Sequence, residues 1–179
     1  MTDSDRDLIL KTYADANSVF EFGIGESSRI AAAVNVPRYS GVDSDPSYIE
    51  KTRNEVNNNR FRFYFADIGV TKAWGQPIER VSKAVLNYQI APLLSELLPF
   101  DVYFVDGRYR VACVCMCFLH ALEHGSTQAK VLLHDYNKKG RMAYHVLETI
   151  ADISDQSKNG ILITLRLKDS IFSEDVFKL

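Results

Sequence analysis

Val19 to Val34 reads VFEFGIGESSRIAAAV, and this stretch decides the fold. An apolar run ends in Glu21 and Phe22, Gly23 and Gly25 follow, and a Ser-led, alanine-rich segment comes next. Two glycines one residue apart let the backbone turn sharply and come close to a ligand. The first N–H groups of the following helix lack intrahelical partners and face the same place. The stretch predicts a strand, a tight turn and a helix, with a small ligand above the turn.

Outward from this unit, short runs rich in Val, Phe and Ile alternate with longer segments at helical spacing, the pattern of a mainly parallel sheet covered by helices on both faces. Strands are predicted near 18–22, 39–42, 61–65, 102–105 and 130–134. Helices are predicted near 27–35, 46–57, 82–97, 110–124 and 140–151, with a further one at 4–15 in front. Asp45 followed by Pro46 suits a helix start, because Asp can cap and Pro loses nothing at the first helical position. The tail GILITLRLKDSIFSEDVFKL reads as two strands joined at Lys168–Asp169–Ser170, closing a seven-stranded sheet with an antiparallel hairpin.

With 179 residues, 46% of them hydrophobic and 25% charged, the chain suffices for one ordinary core, so a single domain over 1–179 is expected. A formal net charge of −2, with Lys and Arg scattered among Asp and Glu, gives no pull toward nucleic acid or acidic membranes. No run approaches the roughly 18 apolar residues of a membrane helix, and the acidic start MTDSDRD is unlike a targeting signal. Cys113, Cys115 and Cys117 are odd in number and bunched. They make a poor disulfide framework and cannot close around one metal from a helix, so they read as buried thiols in a reducing, cytoplasmic setting. The chain stops at Phe177-Lys178-Leu179 inside an apparent strand, which raises the expectation of a domain cut from a longer protein.

In an open parallel sheet the ligand sits at the carboxyl ends of the strands, where strand order reverses. Asp43 closes the second run in YSGVDSDPSYI, about twenty residues past the glycines, where a carboxylate can accept from both ribose hydroxyls of a nucleoside. Asp67 ends the third run in FRFYFADIG and can accept from an adenine amino group. A dinucleotide fingerprint wants a small third residue where this chain has Ser28, and Glu21 and Glu26 beside the turn are unfavourable for a pyrophosphate. Acids there suit a cationic ligand such as an ammonium or a sulfonium.

The segments FEFGIGESS, GVDSDPSYI and FADIG resemble motif I and the two following acidic motifs of class I S-adenosylmethionine-dependent methyltransferases, a Rossmann-like α/β fold, and the resemblance spans nearly the whole chain. It implies S-adenosylmethionine as cofactor. Gly23, Gly25 and Ser27 would lie at the methionine part, Asp43 at the ribose, Asp67 with Ile68 at the adenine, and Glu21 would help hold the ammonium.

Two further stretches, FDVYFVDGRYRVAC and KVLLHDYNKKGRMAYHV, each end an apolar strand in an acid, Asp106 and Asp135. Those strands should be neighbours beside the glycine turn, with both carboxylates facing the transferable methyl group. Methyl transfer from a sulfonium needs alignment and, for a hydroxyl acceptor, a place for the proton, so Asp106, His134 and Asp135 are the catalytic candidates. Together with Trp74-Gly75-Gln76-Pro77, these stretches resemble uncharacterised methyltransferase-like proteins carrying a VDGR.RVAC segment. They are also similar to macrocin-type sugar O-methyltransferases and, more loosely, to plant glucuronoxylan methyltransferases.

That similarity implies a sugar hydroxyl of a glycan or a small molecule as acceptor, approached by Arg108, Tyr136, Arg141 and Trp74. It also allows fusion to glycosyltransferase domains, as in glycan-building proteins of large algal viruses, which would place the chain in host cytoplasm. Macrocin-type enzymes hold magnesium with paired acids. Here Asp106 and Asp135 remain as candidate ligands, but Arg108 and His134 stand where the other acids would, leaving a thin Mg2+ site.

Each of these residues also has a plainer reading. Asp106-Gly107 can be a turn, Arg108 and Arg110 can pair with surface acids, Arg141 and Tyr144 can pack one helical turn apart, and Trp74 can anchor a loop. Two other functions compete with the enzyme: a binding module that keeps the cofactor without turnover, and a nicotinamide-dependent oxidoreductase.

Overall fold

The computed structural model describes residues 1–72, 76–78 and 83–179. The chain begins with α1 (Asp3–Ala14), β1 (Ser18–Phe22), α2 (Glu26–Ala33), β2 (Arg38–Asp43), α3 (Pro46–Val56) and β3 (Phe61–Phe65). Two short strands, β4 (Thr71–Lys72) and β5 (Gln76–Pro77), pair with each other apart from the main sheet, and α4 (Lys83–Gln89) and α5 (Ala91–Leu94) follow. The second half contains β6 (Val102–Val105), α6 (Arg110–Glu123), β7 (Lys130–Leu133), a 3-10 helix (Met142–Thr149), β8 (Ala151–Gln156), β9 (Ile163–Leu167) and α7 (Ser173–Phe177).

The seven-stranded sheet has the order β3-β2-β1-β6-β7-β9-β8. Its first five members are parallel, and β9 runs antiparallel to both β7 and β8. Strand order reverses at β1: Phe22 lies opposite Val42 of β2 on one side and Val105 of β6 on the other. The glycine turn therefore opens at the switch point between the two halves of the sheet.

Alternation along the strands sorts the core into two layers. Phe20, Phe22, Tyr103 and Val105 point to one face and pack with Cys113, Cys117, Phe118 and Leu147. Val19, Tyr39, Phe104 and Leu132 point to the other and meet Leu8, Ile9, Tyr13 and Ala31 of α1 and α2. All three cysteines are buried and free, on the helix covering the first face. The helix starts follow local chemistry. Thr2 and Asp5 form a reciprocal capping box on α1, and Asp45 accepts from the amides of Ser47 and Tyr48 at 2.9 and 3.1 Å ahead of Pro46. Among the described residues no helix is long and apolar enough to cross a membrane.

Three expectations are corrected. The closing hairpin is present, but its strands are β8 and β9. It turns across Ser157–Gly160, and the tail beyond Lys168 ends in α7, whose Val176 is buried in the core. The segment ADISDQ hid β8 because an edge strand keeps one face in water and carries polar residues. The helix expected at 140–151 is a shorter 3-10 helix that yields to β8 at Ala151. The helix expected at 82–97 breaks at Ile90, where Pro92 opens the separate turn α5.

Candidate active site

At the end of β1 the chain makes two ladder-like bonds and then turns: the Gly23 N–H donates to the Val42 carbonyl at 2.9 Å, and the Asp106 N–H donates to the Phe22 carbonyl at 2.9 Å. Gly23 has φ 87°, and a Cβ there would stand 2.7 Å from Gly107 Cα. A Cβ on Gly107 would in turn collide with the Tyr88 hydroxyl. The turns after β1 and β6 are thus packed main chain against main chain, which only glycine on both sides allows.

Above this seam lies a cleft of about 500 Å3 lined by Gly23, Ile24, Asp43, Ser44, Asp45, Tyr48, Thr71, Lys72, Tyr88, Asp106, Gly107 and Arg108. Asp43 ends β2, and its Oδ1 accepts the amides of Ser44 at 2.7 Å and Asp45 at 3.0 Å. Burial raises its pKa against the pull of those amides. Gly25 caps α2 without lining the cleft, its N–H donating to Ser28 Oγ at 2.9 Å.

The glycine turn's own acids are used elsewhere. Glu21 is fully buried on the opposite face of β1 from Phe20 and Phe22, where its carboxylate accepts from Tyr13 Oη (2.8 Å), Ser27 Oγ (3.1 Å), Ser28 Oγ (2.7 Å) and Tyr39 Oη (2.7 Å). Burial raises the Glu21 pKa, and the four hydroxyls oppose that rise. Glu21 and Ser27 therefore sit behind the turn and do not line the cleft. Glu26, at the start of α2, is paired with Arg6. The cleft's negative charge comes from Asp43, Asp45 and Asp106. Asp67 is exposed, its Oδ1 accepting from the Gly69 N–H at 2.8 Å in a local turn, and Ile68 is buried beside it in the core.

The ends of β6 and β7 meet in a cluster of charges. Arg110, the first residue of α6, is 7% exposed. Its Nη2 lies 2.9 Å from Asp106 Oδ1 and 3.2 Å from Asp135 Oδ2, its Nε donates to the Gly107 carbonyl at 3.1 Å, and its Nη1 donates to the His134 carbonyl. His134 Nδ1 stands 3.0 Å from Asp106 Oδ1 and 3.5 Å from Asp135 Oδ1, while its Nε2 is 3.6 Å from Asp5 Oδ2 of α1.

Burial lowers the His134 pKa, but the hydrogen bond and charge of Asp106, with the charge of Asp135, outweigh it, so the net direction is upward and the imidazolium is favoured. Asp135 moves the other way. Burial raises its pKa, and Arg110, His134 and Lys138 bring it below the ordinary value. Its backbone is left-handed, at φ 63°, which aims its side chain back into the cluster. Of the three catalytic candidates, Asp106 alone lines the cleft. His134 and Asp135 stand behind it.

Magnesium demands near-octahedral oxygen coordination at about 2.0–2.1 Å. One nitrogen and two carboxylates, from His134, Asp106 and Asp135, bring ligand atoms within 4.8 Å of one another, but a guanidinium already contacts both acids. This donor set does not fit Mg2+. The cation that opposes a metal is Arg110, whereas the sequence pointed to Arg108.

The remaining candidates are dispersed. Arg108 lines the cleft wall. Tyr136 is buried, its hydroxyl bonded to Glu148 and 3.0 Å from His145 Nδ1, which ties the 3-10 helix to the end of β7. Arg141 lies over the Tyr144 ring at 5.5 Å, the packing alternative. Trp74 lies outside the described residues. Tyr48 and Tyr88 line the cleft without having been singled out. Tyr48 carried a signal, an aromatic on the first turn after the Asp45-Pro46 cap.

No family model matches the chain, and no curated protein matches it. Solved structures do. A methyltransferase-like protein from Silicibacter pomeroyi superposes with a TM-score of 0.73 at 20% identity, covering 100% of this chain and 93% of that one. The chain has the class I methyltransferase fold. The S-adenosylhomocysteine-bound methyltransferase from Podospora anserina matches with a TM-score of 0.55 at 13% identity, over 90% of this chain and 77% of that one. A TDP-rhamnose 3'-O-methyltransferase of calicheamicin biosynthesis matches with a TM-score of 0.54 at 12% identity, over 91% and 77%. In the class I methyltransferase fold, the cleft above the Gly23–Gly107 seam is the switch-point cleft of the parallel sheet.

Proposed function

We propose that this chain is an S-adenosylmethionine-dependent O-methyltransferase acting on a sugar hydroxyl. The observation that carries the reading is one cleft at the switch point whose floor is the main chain of Gly23 and Gly107 and whose walls hold Asp43 on one side and Asp106 on the other. Its volume falls in the usual range for a small-molecule site, roughly 300–1,000 Å3. Side-chain-free backbone at Gly23 and a strand-end carboxylate at Asp43 fit a nucleoside carrying an amino-acid tail, and the three cleft acids suit its positive sulfur. The fold neighbour that methylates TDP-rhamnose supports a sugar acceptor.

The bound cofactor supplies an activated methyl group. This chain's residues hold and orient. Asp43, fixed by the Ser44 and Asp45 amides, receives ribose hydroxyls. Asp106 is positioned by Arg110 and His134, whose contacts both fall on Oδ1, so that Oδ2 meets the acceptor hydroxyl. An oxygen that gains a methyl carbon makes its proton strongly acidic, so a carboxylate oxygen within reach suffices to take it. His134, whose Nδ1 lies 3.0 Å from Asp106 Oδ1, acts as a support for Asp106 rather than as the base.

Calorimetric titration tests the cofactor half of this reading. S-adenosylhomocysteine should bind, and Asp43→Ala should weaken it at least tenfold; binding of NAD with no response to S-adenosylhomocysteine refutes the assignment. For the acceptor half, labelled S-adenosylmethionine is incubated with nucleotide sugars and glycans. Transfer should occur and should fall about 100-fold in Asp106→Asn, in line with the loss of a positioned proton acceptor. Cofactor binding with no transfer to any acceptor would favour the binding module.

A further inference from the structure

We propose that Arg110 is a built-in cation behind the cleft wall: its guanidinium takes the place among Asp106, His134 and Asp135 that a divalent metal would otherwise fill. It is a positioning residue, acting on the reacting site through Asp106. Its positioning role rests on the proposed function, whereas its occupation of the metal position stands on the charge cluster alone and does not depend on methyl transfer or on the identity of the acceptor.

Two carboxylates aimed at one point repel each other and need a cation between them. The geometry supplies it from α6. Tyr109, in the left-handed conformation at φ 51°, reverses the chain so that Arg110 points back at the strand ends. A positive side chain in the first turn of a helix opposes the helix dipole, so its burial there requires compensation. Compensation comes from both carboxylates and from the carbonyls of Asp106, Gly107 and His134, which lie beyond the last ladder bonds of β6 and β7. Nε and Nη1 each meet one carbonyl while Nη2 lies within reach of the Asp106 carbonyl and both carboxylates, a spread of contacts that a lysine's single ammonium cannot make.

The two occupants are mutually exclusive. Ligand atoms of Asp106, His134 and Asp135 lie within 4.8 Å of one another, a spacing that surrounds one ion, and the guanidinium touches both acids of that set. Removing it should therefore expose a metal site of one imidazole and two carboxylates, a donor set that suits cobalt, nickel or zinc better than magnesium.

The experiment titrates Co2+ into metal-free protein, following visible absorption and thermal unfolding. Wild type should show neither a cobalt spectrum nor a shift in Tm. Arg110→Ala should bind one Co2+ at least tenfold more tightly than wild type, gain thermal stability with it, and lose both gains when Asp135→Asn is added. Stoichiometric Co2+ binding by wild type that disappears in Asp135→Asn overturns the proposal whatever the variant does. So does a folded Arg110→Ala that gains no cobalt affinity. Where Arg110→Ala is unfolded alone, Co2+ should restore its folding, and failure to restore it also overturns the proposal.

Discussion

Two acid sites, one fully buried and one part-buried, lie on either side of the glycine turn and solve the same problem in opposite ways. Behind the turn, Glu21 is surrounded by four neutral hydroxyls and, among the described residues, no cation. In front of it, Asp106 and Asp135 share Arg110 and His134. Hydroxyls leave burial in control, and the Glu21 pKa rises. Cations overcome burial, and the Asp135 pKa falls. The rear site is a packed anchor for α1, α2 and β2. The front site is a charged arrangement facing a cleft, where a fixed negative oxygen can be put to chemical use.

Breaking the front site should cost most. Arg110→Ala leaves two facing carboxylates without their shared cation and should destabilise the protein by about 3–5 kcal/mol in urea unfolding, the range for a broken buried ion pair. Adding Asp135→Asn should recover part of the loss, since the repulsion goes with the charge; no recovery would show that Arg110 acts through its carbonyl contacts alone. At the rear site, Glu21→Ala strands the hydroxyls of Tyr13 and Ser27, while Tyr39 keeps Ser28 Oγ, and a loss of about 2 kcal/mol or more is expected by the same assay. Glu21→Gln, which keeps an acceptor oxygen, should lose about 1 kcal/mol.

The smallest effect, and the sharpest contrast, is in pH dependence. A raised folded pKa at Glu21 means that its contribution to stability is present below the ordinary 4.5 and is lost as pH rises through the folded value. The advantage of wild type over Glu21→Gln should therefore shrink as pH climbs above 4.5. Asp135 has a lowered folded pKa, so its contribution is present above the ordinary 3.8 and is lost as pH falls through the folded value. The advantage over Asp135→Asn should shrink on acidification. Parallel curves for the two variants would erase the distinction between hydroxyl and cation cradles.

What could be read in the sequence depended on how local the cause was. The strand, glycine turn and helix of 18–33, and Asp43 at the end of the next strand, are set by neighbours a few residues away, and the structure puts Gly23 and Asp43 on one cleft. Glu21 stands beside the glycines, which suggested a ligand contact. Period-two alternation places it on the face opposite Phe20 and Phe22, and that signal was present in VFEF. Arg108 and Arg110 sit two apart in one motif, and the left-handed Tyr109 between them decides which one turns inward, a conformation no propensity announces for tyrosine. Asp5 meets His134 across most of the chain, a pairing that only the packing of α1 on the sheet creates. The hairpin was legible in kind but misplaced, because SKNG carried the real turn while polar residues disguised the edge strand before it.

The back-to-back glycines leave the cleft with a base made of peptide groups alone. The fit of a ligand can then be altered from the sides, at Tyr48, Lys72, Tyr88 or Arg108, but the depth of the cleft cannot be trimmed one residue at a time: a larger residue at Gly23 would push the turns after β1 and β6 apart, and one at Gly107 would first displace the Tyr88 hydroxyl.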